Sequence, residues 1–143
     1  MSSFRPVTPR FSVAPQIAPG DLAQAAAEGF SFVVCNRPDG EEAGQPDAAT
    51  MQAAAEAAGL GFAHVPVAGG FSMQAVDATA RALEEAGDAR VLAWCRSGTR
   101  SVTLWALARA KDEVDAEELI RAAAGAGYDL SGMRPTLMGL AGR

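Results

Sequence analysis

The sequence predicts an α/β fold: a central, mainly parallel sheet of about four to five strands flanked by helices. Three observations carry that expectation. Short runs rich in aromatic and β-branched residues, such as Phe30-Ser31-Phe32-Val33-Val34-Cys35, read as buried strands. Between them lie alanine-rich segments of helical length, most of which start at a capping residue and stop at a glycine. Strand and helix alternate, as right-handed parallel crossovers require. A chain of 143 residues is long enough for one domain with a real core, and 49% hydrophobic with 20% charged residues is an ordinary globular balance. The chain, 1–143, is therefore read as a single domain that begins with an extended arm over 1–10.

The elements follow in order. Phe4 to Gln16 holds three prolines and no helical period, so it reads as extended, with a short strand near Phe11-Ser12-Val13. Pro19-Gly20-Asp21 opens a helix with Leu22, Ala25 and Ala26 inward, and Gly29 ends it. The strand Phe30 to Cys35 runs into a polar loop, Asn36 to Pro46, which contains Arg37, Asp39, Glu41 and Glu42. Asp47 caps the next helix, whose inner face is Met51, Ala54, Ala55 and Ala58, and Gly59 stops it. Gly61-Phe62-Ala63-His64-Val65 is a strand closed by Pro66, and Ala68-Gly69-Gly70 is a turn. Ser72 caps a helix with Met73, Val76, Ala80 and Leu83 inward. Arg90 to Trp94 is the next strand, and Val102 to Ala108 a buried helix. Asp115 and Glu118 form a capping box for Ala116 to Ala124. One more helical piece is expected in the tail after Tyr128. Sites in such sheets sit beyond the carboxyl ends of strands, so the loops 36–46, 66–72 and 95–101 should converge.

Charge and cysteine usage narrow the function classes. A net charge of −5 argues against nucleic acid and against an anionic membrane surface. No apolar run approaches the roughly 18 residues of a membrane span, and Met1 to Pro6 has no apolar core like that of a secretory signal. Two cysteines do not make a disulfide framework, so a reducing cytoplasm is the expected location. The single histidine, His64, builds no metal site, and neither metal nor cofactor is expected.

Chemistry concentrates in Cys95-Arg96-Ser97-Gly98-Thr99-Arg100-Ser101. A strand that ends at a cysteine and turns tightly into a helix aims backbone amides at one point. Those amides, the helix N-terminus and two guanidinium groups all favour the thiolate over the thiol. Cys95 is the expected nucleophile. Arg100, placed where loop becomes helix, is the expected oxyanion ligand, and Arg96 points more outward. Gly98 suits a position of positive φ or close approach. Ser97, Thr99 and Ser101 supply hydroxyls to the sulfur, or in the case of Ser101 to the helix start. Asp39 is a candidate general acid, although Pro38-Asp39-Gly40 is also a turn signature. Cys35 reads as a small core residue, with a resolving thiol as the alternative, and Trp94 and Trp105 read as core.

The loop resembles two known types. Cysteine phosphatases place five residues between cysteine and arginine and usually a histidine before the cysteine; here four residues separate Cys95 from Arg100 and Trp94 precedes. Rhodanese-type sulfurtransferases commonly have a loop of this length and composition. The chain at large, from about Phe11 to Leu137, resembles the bacterial beta-lactamase-hydrolase-like family in its phosphatase-like domain. Pro15-Gln16-Ile17, Asn36-Arg37-Pro38-Asp39-Gly40-Glu41-Glu42, Pro46, His64-Val65-Pro66-Val67, Cys95 to Ser101 with Leu104-Trp105, and Gly127-Tyr128-Asp129-Leu130 carry that resemblance. It implies a fold similar to dual-specificity phosphatases. Members are variously called phosphatases, hydrolases or sulfurtransferases, and some are fused to enzymes of sulfide oxidation. The resemblance therefore also implies a partner enzyme of sulfur metabolism.

These readings lead to three expectations. The favoured one is sulfane-sulfur transfer: Cys95 takes sulfur from thiosulfate or a persulfide, holds it as a persulfide and passes it to an acceptor thiol. The alternative is phosphoester hydrolysis through a Cys95 phosphocysteine, with Arg100 and the amides on the equatorial oxygens and Asp39 as acid. The third is a non-catalytic module that binds anions or persulfides.

Overall fold

A computed structural model of the chain, which describes residues 4–68 and 70–142, shows a five-stranded sheet in the order β1-β2-β5-β3-β4. The strands are β1 (Arg5–Thr8), β2 (Phe11–Ala14), β3 (Phe30–Cys35), β4 (Gly61–His64) and β5 (Arg90–Trp94). The helices are α1 (Asp21–Ala27), α2 (Ala48–Ala57), α3 (Met73–Ala86), α4 (Thr99–Lys111), α5 (Ala116–Gly125) and α6 (Arg134–Ala141), with a 3-10 turn at Ser131–Met133. Pairing is parallel throughout except for β1, which runs antiparallel to β2. Residues 5–8 of the expected arm are thus a paired edge strand, because they fold back on β2 and bury Val7; residues 1–3 of that arm lie outside the described residues. Gly69 of the 68–70 turn and Arg143 lie outside them too.

The sheet has a core on each face, and strand alternation divides its side chains between them. Val91 and Ala93 join Phe11, Val13, Phe32 and Val34 under α3, α4, α5 and α6. Leu92 and Trp94 join Val33, Cys35, Leu22 and Met51 under α1 and α2. α4 is buried nearly all round, from Ser101 to Ala108 and at Ala110, with Thr103 donating its hydroxyl to the Thr99 carbonyl. Trp105 anchors it to the sheet by stacking on Phe11, ring centroids 5.5 Å apart and planes at 10°. Among the described residues no helix is long and apolar enough to cross a membrane.

Most elements stand where the pattern places them, and two details differ. Asp47 and Ser72 do cap α2 and α3, accepting from the amides of Thr50 and Ala75. Asp115 precedes α5 but makes no side-chain capping bond, so the expected capping box is not formed. α3 is rotated: Val76, Thr79 and Ala82 are buried, while Met73 is half exposed, at 49%. Alanine at so many positions weakens the contrast between faces, and tertiary packing then chooses the stripe. The tail holds the 3-10 turn and α6, with Pro135 in the first turn of α6, where its missing N–H costs nothing.

Because Trp105 fixes the helix that carries Arg100, its removal should be felt throughout. Trp105→Ala is expected to lower stability by about 3–5 kcal/mol, read from the urea midpoint at unchanged m-value.

Candidate active site

β5 lies between β2 and β3, so the turn that leaves it emerges where the strand order switches. The turn is short. Cys95 is hydrogen-bonded to the sheet through its amide, 3.4 Å from the Ala14 carbonyl, and α4 starts at Thr99. Gly98 closes the turn in the left-handed region, at φ 95° and ψ −14°. That conformation swings its amide inward, and Gly98 N–H donates to Cys95 Sγ at 3.0 Å. A sulfur that accepts from an inward amide at a helix start is the arrangement the sequence leads one to expect.

Glycine is required at 98 for a second reason. A Cβ there would sit 2.1 Å from the Tyr128 hydroxyl oxygen and 2.9 Å from its ring carbon Cζ. Tyr128, which follows α5, donates its hydroxyl to the Ser97 carbonyl at 2.9 Å and accepts from Arg5 Nη1 at 3.2 Å. Burial pushes the Tyr128 phenol above its ordinary range, with Arg5 opposing, which keeps it a donor at neutral pH.

The three expected loops do converge, and Arg100 joins them. Its Nη1 donates to the Val67 carbonyl at 2.6 Å, and its two terminal nitrogens grip Glu41 at 2.8 and 2.9 Å. The guanidinium is also near enough to Cys95 to interact with it electrostatically. Glu41 is shared: Arg37 Nε donates to it at 2.9 Å. Arg37 is almost fully buried, at 2% exposure, and is satisfied on every side, by Glu41, by Glu42 at 3.3 Å and by Gln16 at 3.0 Å. A buried guanidinium without such partners would be strongly destabilising. Arg37, Glu41, Glu42, Arg96 and Arg100 line a cleft of about 440 Å³.

The remaining expected residues fall into place unevenly. Cys95 has no exposed surface and is not among the residues that line the cleft, so the sulfur expected to be open to a substrate is closed off in this structure. Arg96 is exposed, as expected, yet still borders the cleft. Ser97 and Thr99 bond to each other, hydroxyl to hydroxyl at 3.0 Å and Thr99 N–H to Ser97 Oγ at 3.3 Å, rather than to sulfur. Ser101 Oγ is buried with no hydrogen-bond partner. Asp39 takes another task. Its Oδ1 accepts from the Ala48 amide at 2.8 Å at the start of α2, and it does not border the cleft. Cys35 is core: its thiol donates weakly to the Arg37 carbonyl, and burial pushes it up to about 11, beyond use as a nucleophile at neutral pH. His64 bonds the Arg37 carbonyl through Nε2 at 3.1 Å.

Arg37, Glu41, Tyr128 and Gln16 are the residues that site reasoning passed over. Arg37 and Glu41 carry opposite charges in the one loop after β3, but a spacing of four predicts contact only in a helix, so the pairing is not readable from the sequence. Tyr128 stands in the Gly127-Tyr128-Asp129-Leu130 stretch that carries the family resemblance, but its carbonyl partner lies 31 residues away and no local pattern gives it a role.

Two expectations follow from this geometry. The Arg100 hydrogen bond, seconded by Arg37, holds the Glu41 carboxyl down from 4.5 to about 2. A depressed carboxyl stabilises the fold above its ordinary range, and that contribution is lost as pH falls toward 2. Glu41→Gln should therefore lower stability at pH 6, and the gap to wild type should close between about pH 4.5 and 2 in denaturation series. Gly98→Ala, forced into positive φ and against Tyr128, should cost about 1–3 kcal/mol by the same measurement.

Known proteins share this sequence and fold. The family model described as beta-lactamase hydrolase-like protein, phosphatase-like domain, matches residues 3–112. The beta-lactamase hydrolase-like protein of Agrobacterium fabrum (strain C58) is 36% identical over 107 residues, covering 74% of this chain and 25% of the relative. That of Xylella fastidiosa (strain Temecula1) is 35% identical over 117 residues, covering 77% and 27%. The chain thus spans about a quarter of the length of these curated relatives. Among solved structures, the Neisseria meningitidis Z2491 protein nma1982, provisionally named a phosphatase, superposes with a TM-score of 0.81 at 35% identity, covering 98% of this chain and 99% of its own. Tk-PTP in its active form gives 0.74 at 20% identity, covering 99% and 97%. Kinase associated phosphatase, solved with its catalytic-site cysteine substituted by serine, gives 0.71 at 14% identity, covering 99% and 96%. The architecture is that of the protein-tyrosine and dual-specificity phosphatases.

Proposed function

The chain belongs to the phosphatase-like domain family of beta-lactamase hydrolase-like proteins, and from that footing we propose that it is a cysteine-dependent phosphatase acting on phosphoesters. One observation carries the reading: Cys95 Sγ sits at the strand-to-helix turn with the Gly98 amide on it and the Arg100 guanidinium beside it, in a phosphatase fold. The Cys95 thiolate attacks phosphorus, the ester oxygen leaves with its bonding pair, and a phosphocysteine forms. Arg100 and the turn's amides stabilise the equatorial oxygens. Water then attacks phosphorus, releasing phosphate and restoring the thiolate.

Two features shape the substrate. An oxyanion must exchange with the Glu41 carboxylate in the fork of Arg100, and a dianionic phosphate competes best for a bidentate guanidinium. Asp39 is engaged by the Ala48 amide and Glu41 is held ionised, so neither carboxyl stands ready as an acid. Aryl phosphates, whose leaving groups need little protonation, suit such a site.

Sulfane-sulfur transfer is the second reading, and the four-residue spacing from Cys95 to Arg100 favours it by making the cradle small. Cys95 would attack the outer sulfur of thiosulfate, sulfite would leave with the S–S pair, and an acceptor thiolate would take the sulfur from the persulfide.

The test is one set of incubations with an aryl phosphate and with thiosulfate, followed by intact mass. Phosphate release by wild type, lowered at least about 1000-fold in Cys95→Ser, with a trapped phosphate on Cys95, is the expected result. No phosphate release, together with the gain of one sulfur on Cys95, overturns it in favour of sulfur transfer.

A further inference from the structure

The Ser97–Gly98 peptide presents opposite faces to two partners. Its carbonyl accepts from the Tyr128 hydroxyl at 2.9 Å, and its N–H donates to Cys95 Sγ at 3.0 Å. In a trans peptide the C=O and N–H point in opposite directions. Whatever holds the oxygen therefore aims the hydrogen. Turns that contain a left-handed glycine have a competing arrangement, in which the peptide rotates and turns its oxygen inward. An inward carbonyl would face the sulfur with negative charge instead of a donor.

We propose that Tyr128 is a positioning residue for the nucleophile: by holding the Ser97 carbonyl outward it keeps the Gly98 amide on Cys95, and Arg5 directs the Tyr128 hydroxyl to that task. Three further facts support the assignment. Arg5 Nη1 occupies the acceptor side of the Tyr128 oxygen at 3.2 Å, which leaves the hydroxyl hydrogen for Ser97. The Arg5 guanidinium carbon also lies 5.5 Å from the Tyr128 ring centre, so the cation bears on ring and hydroxyl together. Tyr128 is 8% exposed and fills the space that a Cβ on Gly98 would need, so ring and turn are fitted to each other. The device brings the first strand, the segment after α5 and the nucleophile turn into one unit, although these are far apart in sequence.

The inference rests on Cys95 being the nucleophile, whichever group it transfers. Tyr128→Phe removes the hydroxyl and keeps the packing. It should raise the exchange rate of the Gly98 amide proton about threefold to tenfold, as loss of one hydrogen bond predicts, with the α4 amides from Val102 onward unchanged. Iodoacetamide alkylation of Cys95 at neutral pH should slow by a similar factor, and kcat for an aryl phosphate should fall with KM unchanged. Arg5→Met should reproduce part of the loss, and Arg5→Lys should restore it. Gly98 exchange and Cys95 alkylation equal to wild type in Tyr128→Phe would overturn the proposal. Altered exchange and alkylation, with no phosphate released even by wild type, would uphold the positioning role and overturn the phosphatase reading instead.

Discussion

One guanidinium holds the site together. Arg100 sits at the start of α4 and reaches the carboxylate of Glu41 in the β3–α2 loop and the carbonyl of Val67 in the β4–α3 loop. Three loops that leave the carboxyl ends of neighbouring strands are thereby joined above a single sulfur atom. The pair would be worth little on an open surface. Here it is bidentate, and Arg37 shares the same carboxylate from a buried position. Releasing Glu41 would leave two guanidiniums short of a partner, so the site favours an incoming anion over an empty cleft.

That network gives the chemistry its character. Arg37, Arg96 and Arg100 face Glu41 and Glu42 across the cleft, leaving one positive charge in excess. The chain as a whole is acidic, at −5. Local cations on an anionic protein concentrate attraction at one point without making the surface generally sticky to anions. The sulfur lies below them, held by the sheet on one side and the Gly98 amide on the other. Cys35 ends the neighbouring strand and packs with Leu22 and Met51 in the core under α1 and α2.

The fold supplies the rigidity this requires. α4 is buried nearly all round and carries the turn at its start, while Phe11 and Trp105 stack beneath it. The edge strand β1 adds more than a fifth strand. It carries Arg5 to Tyr128, and through Tyr128 to the peptide that faces the nucleophile. A segment that reads from sequence as an extended arm is in this way connected to the site.

The sequence by itself determined the layered α/β architecture, the strand Phe30 to Cys35, the caps at Asp47 and Ser72, and the turn Cys95 to Ser101 with glycine at 98. All of these are local signals: periodicity, capping chemistry and a left-handed position are written within a few residues. It also brought the three loops together, because parallel sheets gather strand ends on one side. The tertiary structure alone decided which carboxylate meets which arginine. Asp39 and Glu41 lie two residues apart in one loop, and only the path of that loop sends the first to α2 and the second to Arg100. The burial of Arg37, the orientation of α3 and the reach of Tyr128 to Ser97 were likewise settled by packing. Each depends on partners distant in the chain, and composition and spacing hold no record of those distances.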